Sequence, residues 1–287
     1  MKPIMNDKKI VNSWALFDWA NSAYALVIST AIFPIYFTAN TPEIVHILGL
    51  EFTNSSLYTF AVSFSYIIIA FMSPILSGIA DYSGRKKYFL KIFTIVGSLA
   101  CSALWFFDGV GTYWIGTLGF IVATIGFAGA LVFYNAYLPE IATEDQYDLV
   151  SAKGFAYGYV GSVILLIIIL FMISKHDMFG FPTEKTPIRI GFLLVGVWWL
   201  FFGFISFKGL PNDLNKEKQD NIVQKGYQEI KNVFAELQDR PNIKRFLASF
   251  FFCSAGVQTV IYVALIFAKD ELAFESTELI TIILLLQ

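Results

Sequence analysis

Seven long apolar stretches separated by polar connections constrain this chain more than any other feature: residues 14–37, 57–79, 88–107, 113–137, 154–173, 188–207 and 246–268. A helix rises about 1.5 Å per residue, so roughly 20 mostly apolar residues are needed to cross a hydrocarbon layer about 30 Å thick. Lipid offers the backbone no hydrogen-bond partner, so each crossing must be a helix that satisfies its own polar groups. An eighth apolar stretch begins near Leu279 and stops at Gln287. The expected fold is an all-α, polytopic membrane helix bundle of seven full spans and part of an eighth, and so is incomplete within these residues.

Composition agrees with this reading and removes alternatives. Only 15% of residues are Asp, Glu, Lys or Arg, against about 25% in soluble domains, and 30 are Phe. A formal net charge of −2 with both signs interleaved leaves no basic stripe for phosphate, so nucleic acid is not an expected partner. Cys101 and Cys253 fall in separate spans, and His46 and His176 in different loops, so neither a disulfide framework, a metal site nor any cofactor is indicated. Lys8 and Lys9 precede the first apolar stretch as they would in a signal peptide, but its length and Asp18 mark it as a retained span.

With the N-terminus in the cytoplasm, 16 of the 20 Lys and Arg lie in or at the edge of the N-terminal tail and the second, fourth and sixth connections. The excess of cations on that side sets the orientation. Residues 1–207 then form a six-span half, 208–244 a cytoplasmic linker, and 245–287 the start of a second half. Inside the linker Ile222, Gly226, Ile230, Val233 and Leu237 recur at helical spacing. They describe an amphipathic helix lying either on the inner membrane surface or on the ends of the bundle. Trp14, Trp19, Trp114 and Tyr113 are placed as interface anchors.

Between the second and third spans the chain reads Ser77, Gly78, Ile79, Ala80, Asp81, Tyr82, Ser83, Gly84, Arg85, Lys86, Lys87. Gly84 permits a tight turn, and Asp81 is able to pair with the basic cluster. This string resembles the loop motif of the major facilitator superfamily, with Asp81, Gly84, Arg85 and Lys86 in place, Ser77 standing for a Gly and Tyr82 for an Arg. Three further strings, residues 13–24 (SWALFDWANSAY), 135–142 (NAYLPEIA) and 256–259 (GVQT), are similar to the vacuole-effluxer-like, autophagy-related permease branch of that superfamily. The resemblance implies two six-helix halves that rock about a central site near the midplane, and it implies amino-acid efflux for eukaryotic members. Where that branch often has an acidic residue before the Gly of the seventh span, this chain has Ala255.

Asp18 is the one acidic side chain deep in a predicted span. A carboxylate in hydrocarbon costs about 2.5 to 3.5 kcal/mol on insertion scales, so it should face the bundle or a wet cavity. Asp18, Asn21 or Ser22, Ala25 and Ser29 repeat at helical spacing. This stripe either lines a transport path, with Asp18 taking a cation or proton and Asn21 and Tyr24 as further solute or ion candidates, or packs closely against a neighbour, with Asp18 helping to cap the helix near the inner interface. Asn135 sits four residues before Pro139, where its amide either repairs the freed backbone or meets solute. Glu140 is a candidate partner for Arg85 or Lys86. Gln258, in the seventh span, is a candidate solute contact or an interhelical hydrogen bond. Gly116, Gly119, Gly126, Gly129, Gly154, Gly158 and Gly161 are close-packing positions. No nucleophile, base and orienting group occur together, so an enzyme is not expected. The sequence points to a multi-pass protein of the plasma (inner) membrane, whose partners are the bilayer, a small solute and a coupling proton. The alternative is a receptor or scaffold that keeps the fold without transport.

Overall fold

The computed structural model describes residues 5–47, 49–213, 231, 235–272 and 274, leaving out the side chains of Asp81, Gln258 and a few other helical residues. Among the described residues, six helices are long and apolar enough to cross a membrane. We label them α1 (Lys8–Asn40), α2 (Asn54–Ser83), α3 (Lys86–Ala103), α4 (Tyr113–Asn135), α5 (Tyr147–Ser174) and α6 (Lys185–Gly209). A seventh long helix, α7 (Pro241–Asp270), covers the seventh predicted span. The predicted linker helix and the stretch from Leu279 lie outside the described residues, apart from helical Lys231 and residues 235–238.

The helices outrun the apolar stretches at most ends, and two of their starts carry a side-chain cap. The Asp7 carboxylate accepts from the backbone N–H groups of Lys9 and Ile10 and so starts α1 six residues before the predicted span. Thr53 caps α2 through Ser56 N–H in the same way. Between α1 and α2 the chain folds into an antiparallel hairpin, β1 (Ile44–Ile47) and β2 (Leu50–Thr53), with Val45 opposite Phe52. Gly49 supplies the left-handed turn residue at φ +80°. Hydropathy gives no hint of this hairpin, since one of its strands puts only Val45 into the core.

α1 is the central post. It packs on α5 and α6, while α3 packs on α4 and α6, and α2 on α4. Within a bilayer lipid tails are as apolar as Leu, so helices associate by close packing, which small residues permit. A Cβ on Gly97 of α3 would fall 3.2 Å from the Gly126 Cα of α4 and 2.8 Å from the Trp199 ring of α6. Those three helices therefore meet at one point where nothing larger than glycine fits.

Two aromatic cores stack along the bundle. One holds Phe33, Phe37, Tyr58, Phe107, Phe120, Phe192 and Trp199, towards the face opposite the N-terminus. The other holds Trp14, Phe17, Phe133, Tyr134 and Phe207, towards the N-terminal face. Trp14 thereby corrects the sequence expectation: at 2% exposure it is a core residue, not an interface anchor. Trp19 likewise stacks on Trp198 of α6, at 5.7 Å between ring centroids. Of the four expected anchors, Trp114 is well exposed.

Candidate functional site

Asp18 lies in the α1/α5 seam, more than nine-tenths buried. Its Oδ1 accepts a hydrogen bond from Ser22 one turn on, at 2.9 Å. The opposing surface of α5 is glycine: a Cβ at Gly158 would come within 3.0 Å of the Asp18 carboxyl carbon. Tyr134 of α4 is buried nearby, and its hydroxyl makes no hydrogen bond among the described residues. Tyr134 is held by Trp14 in two ways, through rings stacked at 4.2 Å and 9° and through the indole N–H donating to the Tyr134 carbonyl at 2.9 Å. Gly154, one turn before Gly158, leaves the room that the Tyr134 hydroxyl occupies. The carboxyl is thus packed between Ser22 of its own helix and the glycine face of α5.

One turn further along α1, Asn21 is fully buried, and neither its amide oxygen nor its nitrogen has a hydrogen-bond partner among the described residues. Tyr24 is buried too, its hydroxyl bonded to Thr124 of α4 at 2.8 Å. At Tyr24 the helix widens into a nine-residue π segment, Tyr24–Ile32. Thr30 donates to the carbonyl of Ala25 five residues back, at 2.9 Å, and Tyr58 of α2 donates to the carbonyl of Ser29. Wide turns of this kind recur at functional sites, and nothing in the residue pattern announces this one.

At the N-terminal face, α2 ends on Gly84 in the left-handed region, φ 61° and ψ 14°, and α3 begins at Lys86. Lys86 and Lys87 are both buried, although each carries a charge. Lys86 Nζ donates to the Ala136 carbonyl at 2.8 Å and to Glu140 Oε1 at 3.0 Å, which fastens the loop motif to the end of α4. Lys87 Nζ donates to the Leu210 carbonyl and to Asn212 Oδ1. Asp213 completes the strap: its two carboxylate oxygens accept from the backbone N–H groups of Lys87 and Tyr88, at 2.7 and 3.0 Å. An acid on exposed N–H groups at a helix start is doubly favoured, by hydrogen bonding and by the helix dipole. Lys87 and Asp213 were not singled out from sequence, and a carboxylate shortly after a span, beside Pro211, was the available hint. Arg85 is exposed beside them. The Asp81 side chain lies outside what the structure describes.

Asn135 also departs from expectation. α4 ends at Asn135 and a separate turn, Leu138–Ile141, follows around Pro139. The Asn135 side chain is exposed, and among the described residues its amide makes no bond to the freed backbone.

A cavity of 540 Å³ separates α2 from α7, lined by Ser63, Tyr66, Phe250, Ser254 and Thr259 among others, with no Asp, Glu, Lys or Arg. A second, of 580 Å³, opens between α1, α5 and α6 towards the far face, beside Asn40, Thr183, Glu184 and Lys185. Asp18, Asn21, Tyr24 and Asn135 line neither. The structure thus brings Asp18, Asn21 and Tyr24 onto one buried post and keeps them apart from both cavities; Gln258 lies on α7, its side chain undescribed.

Residues 6–287 match the family described as vacuole effluxer Atg22 like. The chain is 32% identical over 279 residues to the uncharacterized MFS-type transporter YxiO of Bacillus subtilis (strain 168), covering 96% of this chain and 64% of that protein. It is 23% identical over 256 residues to autophagy-related protein 22 of Kluyveromyces lactis, covering 81% of this chain and 50% of that one. The chain thus spans between half and two thirds of these relatives. No solved structure matches. A family match over nearly the whole chain, together with a bundle of membrane-length helices, means that this chain belongs to the vacuole effluxer Atg22-like family.

Proposed function

We propose that this protein is a secondary transporter that moves a small solute across a membrane by alternating access, with Asp18 as the proton-coupling group. The observation that carries the reading is the Asp18 carboxyl itself, buried in α1 among Ser22, Tyr134 and the glycine face of α5. A buried acid without a cationic partner is costly in a membrane helix and is retained where a proton must be exchanged. The solute site is the space between α2 and α7. Its lining offers hydroxyls and aromatic rings and no charged side chain, which favours an amphipathic solute of small size and no net charge. Neutral amino acids fit that chemistry, and uptake of labelled Leu or Ala by the full-length protein in liposomes tests the assignment. Preference for Lys or Glu over these would refute it.

In this reading the N-terminal face, with its strap of Lys86, Lys87 and Asp213, is cytoplasmic, as the cation excess indicates. In a background with Cys253 replaced by Ser, cysteine placed at exposed Thr183 is expected to react with an impermeant thiol reagent from outside intact cells, and cysteine at exposed Glu144 is not. The reverse pattern would invert the orientation.

A further inference from the structure

The cavity of 580 Å³ between α1, α5 and α6 is separate from the proposed solute site. α5 and α6 each pack closely on α1 and only sparsely on one another, which leaves a gap between them. One face of each helix lines it. On α1 the lining positions Ile32, Ile35, Tyr36, Ala39 and Asn40 recur at helical spacing, and so do Leu170, Ile173 and Ser174 on α5. From Asn40 back to Ile32 is eight residues of helix, so the lining reaches about 12 Å into the bundle.

This lining is graded from one end to the other. Its inner part is aliphatic, with Ile32 and Ile35 of α1 facing Leu170 and Ile173 of α5 across the gap. At the far face it ends in the exposed side chains of Ser174, Thr183, Glu184 and Lys185. Glu184 and Lys185 are opposite charges at consecutive positions where α6 begins, and consecutive residues of a helix do not face each other. Among the described residues neither side chain makes an ion pair or a hydrogen bond. The mouth therefore offers one free acceptor anion and one free donor cation above an apolar shaft. A cavity of this size takes a drug-sized ligand, and a small zwitterion alone would occupy the mouth and leave the shaft empty.

We propose that this cavity is a lipid site. It takes an acyl chain of a zwitterionic phospholipid with a primary ammonium, such as phosphatidylethanolamine, from the leaflet on the face opposite the N-terminus. Glu184 accepts from the ammonium, Lys185 donates to the phosphate, and the chain lies against the aliphatic wall. Charge at the ends of the spans and hydrocarbon within them is the order in which a lipid of that leaflet presents its own parts. Two charges of opposite sign suit a head that carries both, and a head with phosphate alone leaves Glu184 without a partner.

The test exposes the purified full-length protein to an equimolar mixture of phosphatidylethanolamine and phosphatidylglycerol and weighs the retained complexes by native mass spectrometry. Both lipids carry the phosphate, and only the first carries an ammonium. The parent is expected to retain phosphatidylethanolamine in preference by about tenfold, the scale of one charge-assisted hydrogen bond. Glu184→Gln should bring that ratio close to one, whereas Lys185→Gln should lower retention of both lipids and keep the ratio. Both positions are exposed, so neither change disturbs the core. Ser174→Trp, at a third exposed position, closes the mouth with a ring and should also abolish the preference. A parent ratio near one, or an unchanged ratio in either folded Glu184→Gln or folded Ser174→Trp, overturns the site. Glycerophosphoethanolamine, the same head without acyl chains, should not displace the bound lipid when added in excess. Displacement by it would make the cavity a site for a soluble zwitterion and overturn the lipid assignment.

Discussion

Asp18→Asn in the full-length protein is expected to abolish solute accumulation driven by a pH gradient while leaving solute counterflow within about twofold of the parent. The amide keeps the volume of the carboxyl and still accepts from Ser22, now 2.9 Å away, so the α1/α5 seam survives. What it removes is the ability to exchange a proton. A group that binds the coupling ion affects only steps in which that ion moves, and counterflow of solute against solute requires none. The alternative, in which Asp18 serves packing alone, predicts the opposite split: lowered thermal stability, with accumulation reduced only in proportion to folded protein. Measuring accumulation and counterflow on the same liposomes separates the two.

The second large effect is expected at Gly84. It holds φ 61° at the join of α2 and α3, where a β-branched residue is a conformational outlier and an L side chain costs about 1–2 kcal/mol. Gly84→Val therefore displaces the start of α3, and with it the Lys86 and Lys87 ammonium groups and the N–H groups that Asp213 caps. All of these lie at the N-terminal face and away from the cavity between α2 and α7. The expected result is a roughly tenfold fall in maximal transport rate, equivalent to about 1.4 kcal/mol on the slow step, with KM changed less than twofold. A large rise in KM at normal maximal rate would place the loop in solute recognition instead.

The spans were legible because insertion is decided locally: each run of about 20 apolar residues must satisfy its own backbone in lipid, whatever the rest of the chain does. The glycine positions were legible for a related reason, since small residues in membrane helices mark where backbones approach, and Gly126, Gly154, Gly158 and Gly161 all meet a neighbouring helix closely. Trp14 was misplaced because a Trp near the start of a span suits an interface and a core equally well. What decides it is the Tyr134 ring, 120 positions away. A comparable distance in sequence hid Asp213, whose carboxylate accepts from the N–H of Lys87, 126 positions earlier. For Glu140 the charge pattern offered Arg85 and Lys86 as partners, and geometry places it 3.0 Å from Lys86. The π segment had no signature, because Tyr24–Ile32 is composed of residues equally at home in an ordinary helix.

The separation between Asp18 and the α2/α7 cavity matters for mechanism. Were the coupling group in the solute site, proton and solute would compete or cooperate by contact. On the proposed reading the carboxyl, in a seam inside one bundle, would act on the solute site by biasing which arrangement of helices is populated, and only a difference in proton affinity between arrangements would provide that bias. The buried amide of Asn21 and the wide turn after it lie on the same post, between Asp18 and the end of α1 that meets α7.

The claim on which the rest depends is that this protein moves solute, and flux through the purified full-length protein in liposomes tests it most directly. Saturable uptake of a labelled neutral amino acid, accelerated by an imposed pH gradient and made insensitive to that gradient by Asp18→Asn, is the expected result. Uptake no faster than in protein-free liposomes across neutral, acidic and basic amino acids, from protein shown to be folded, would contradict the account and leave a bundle that keeps the fold without transport.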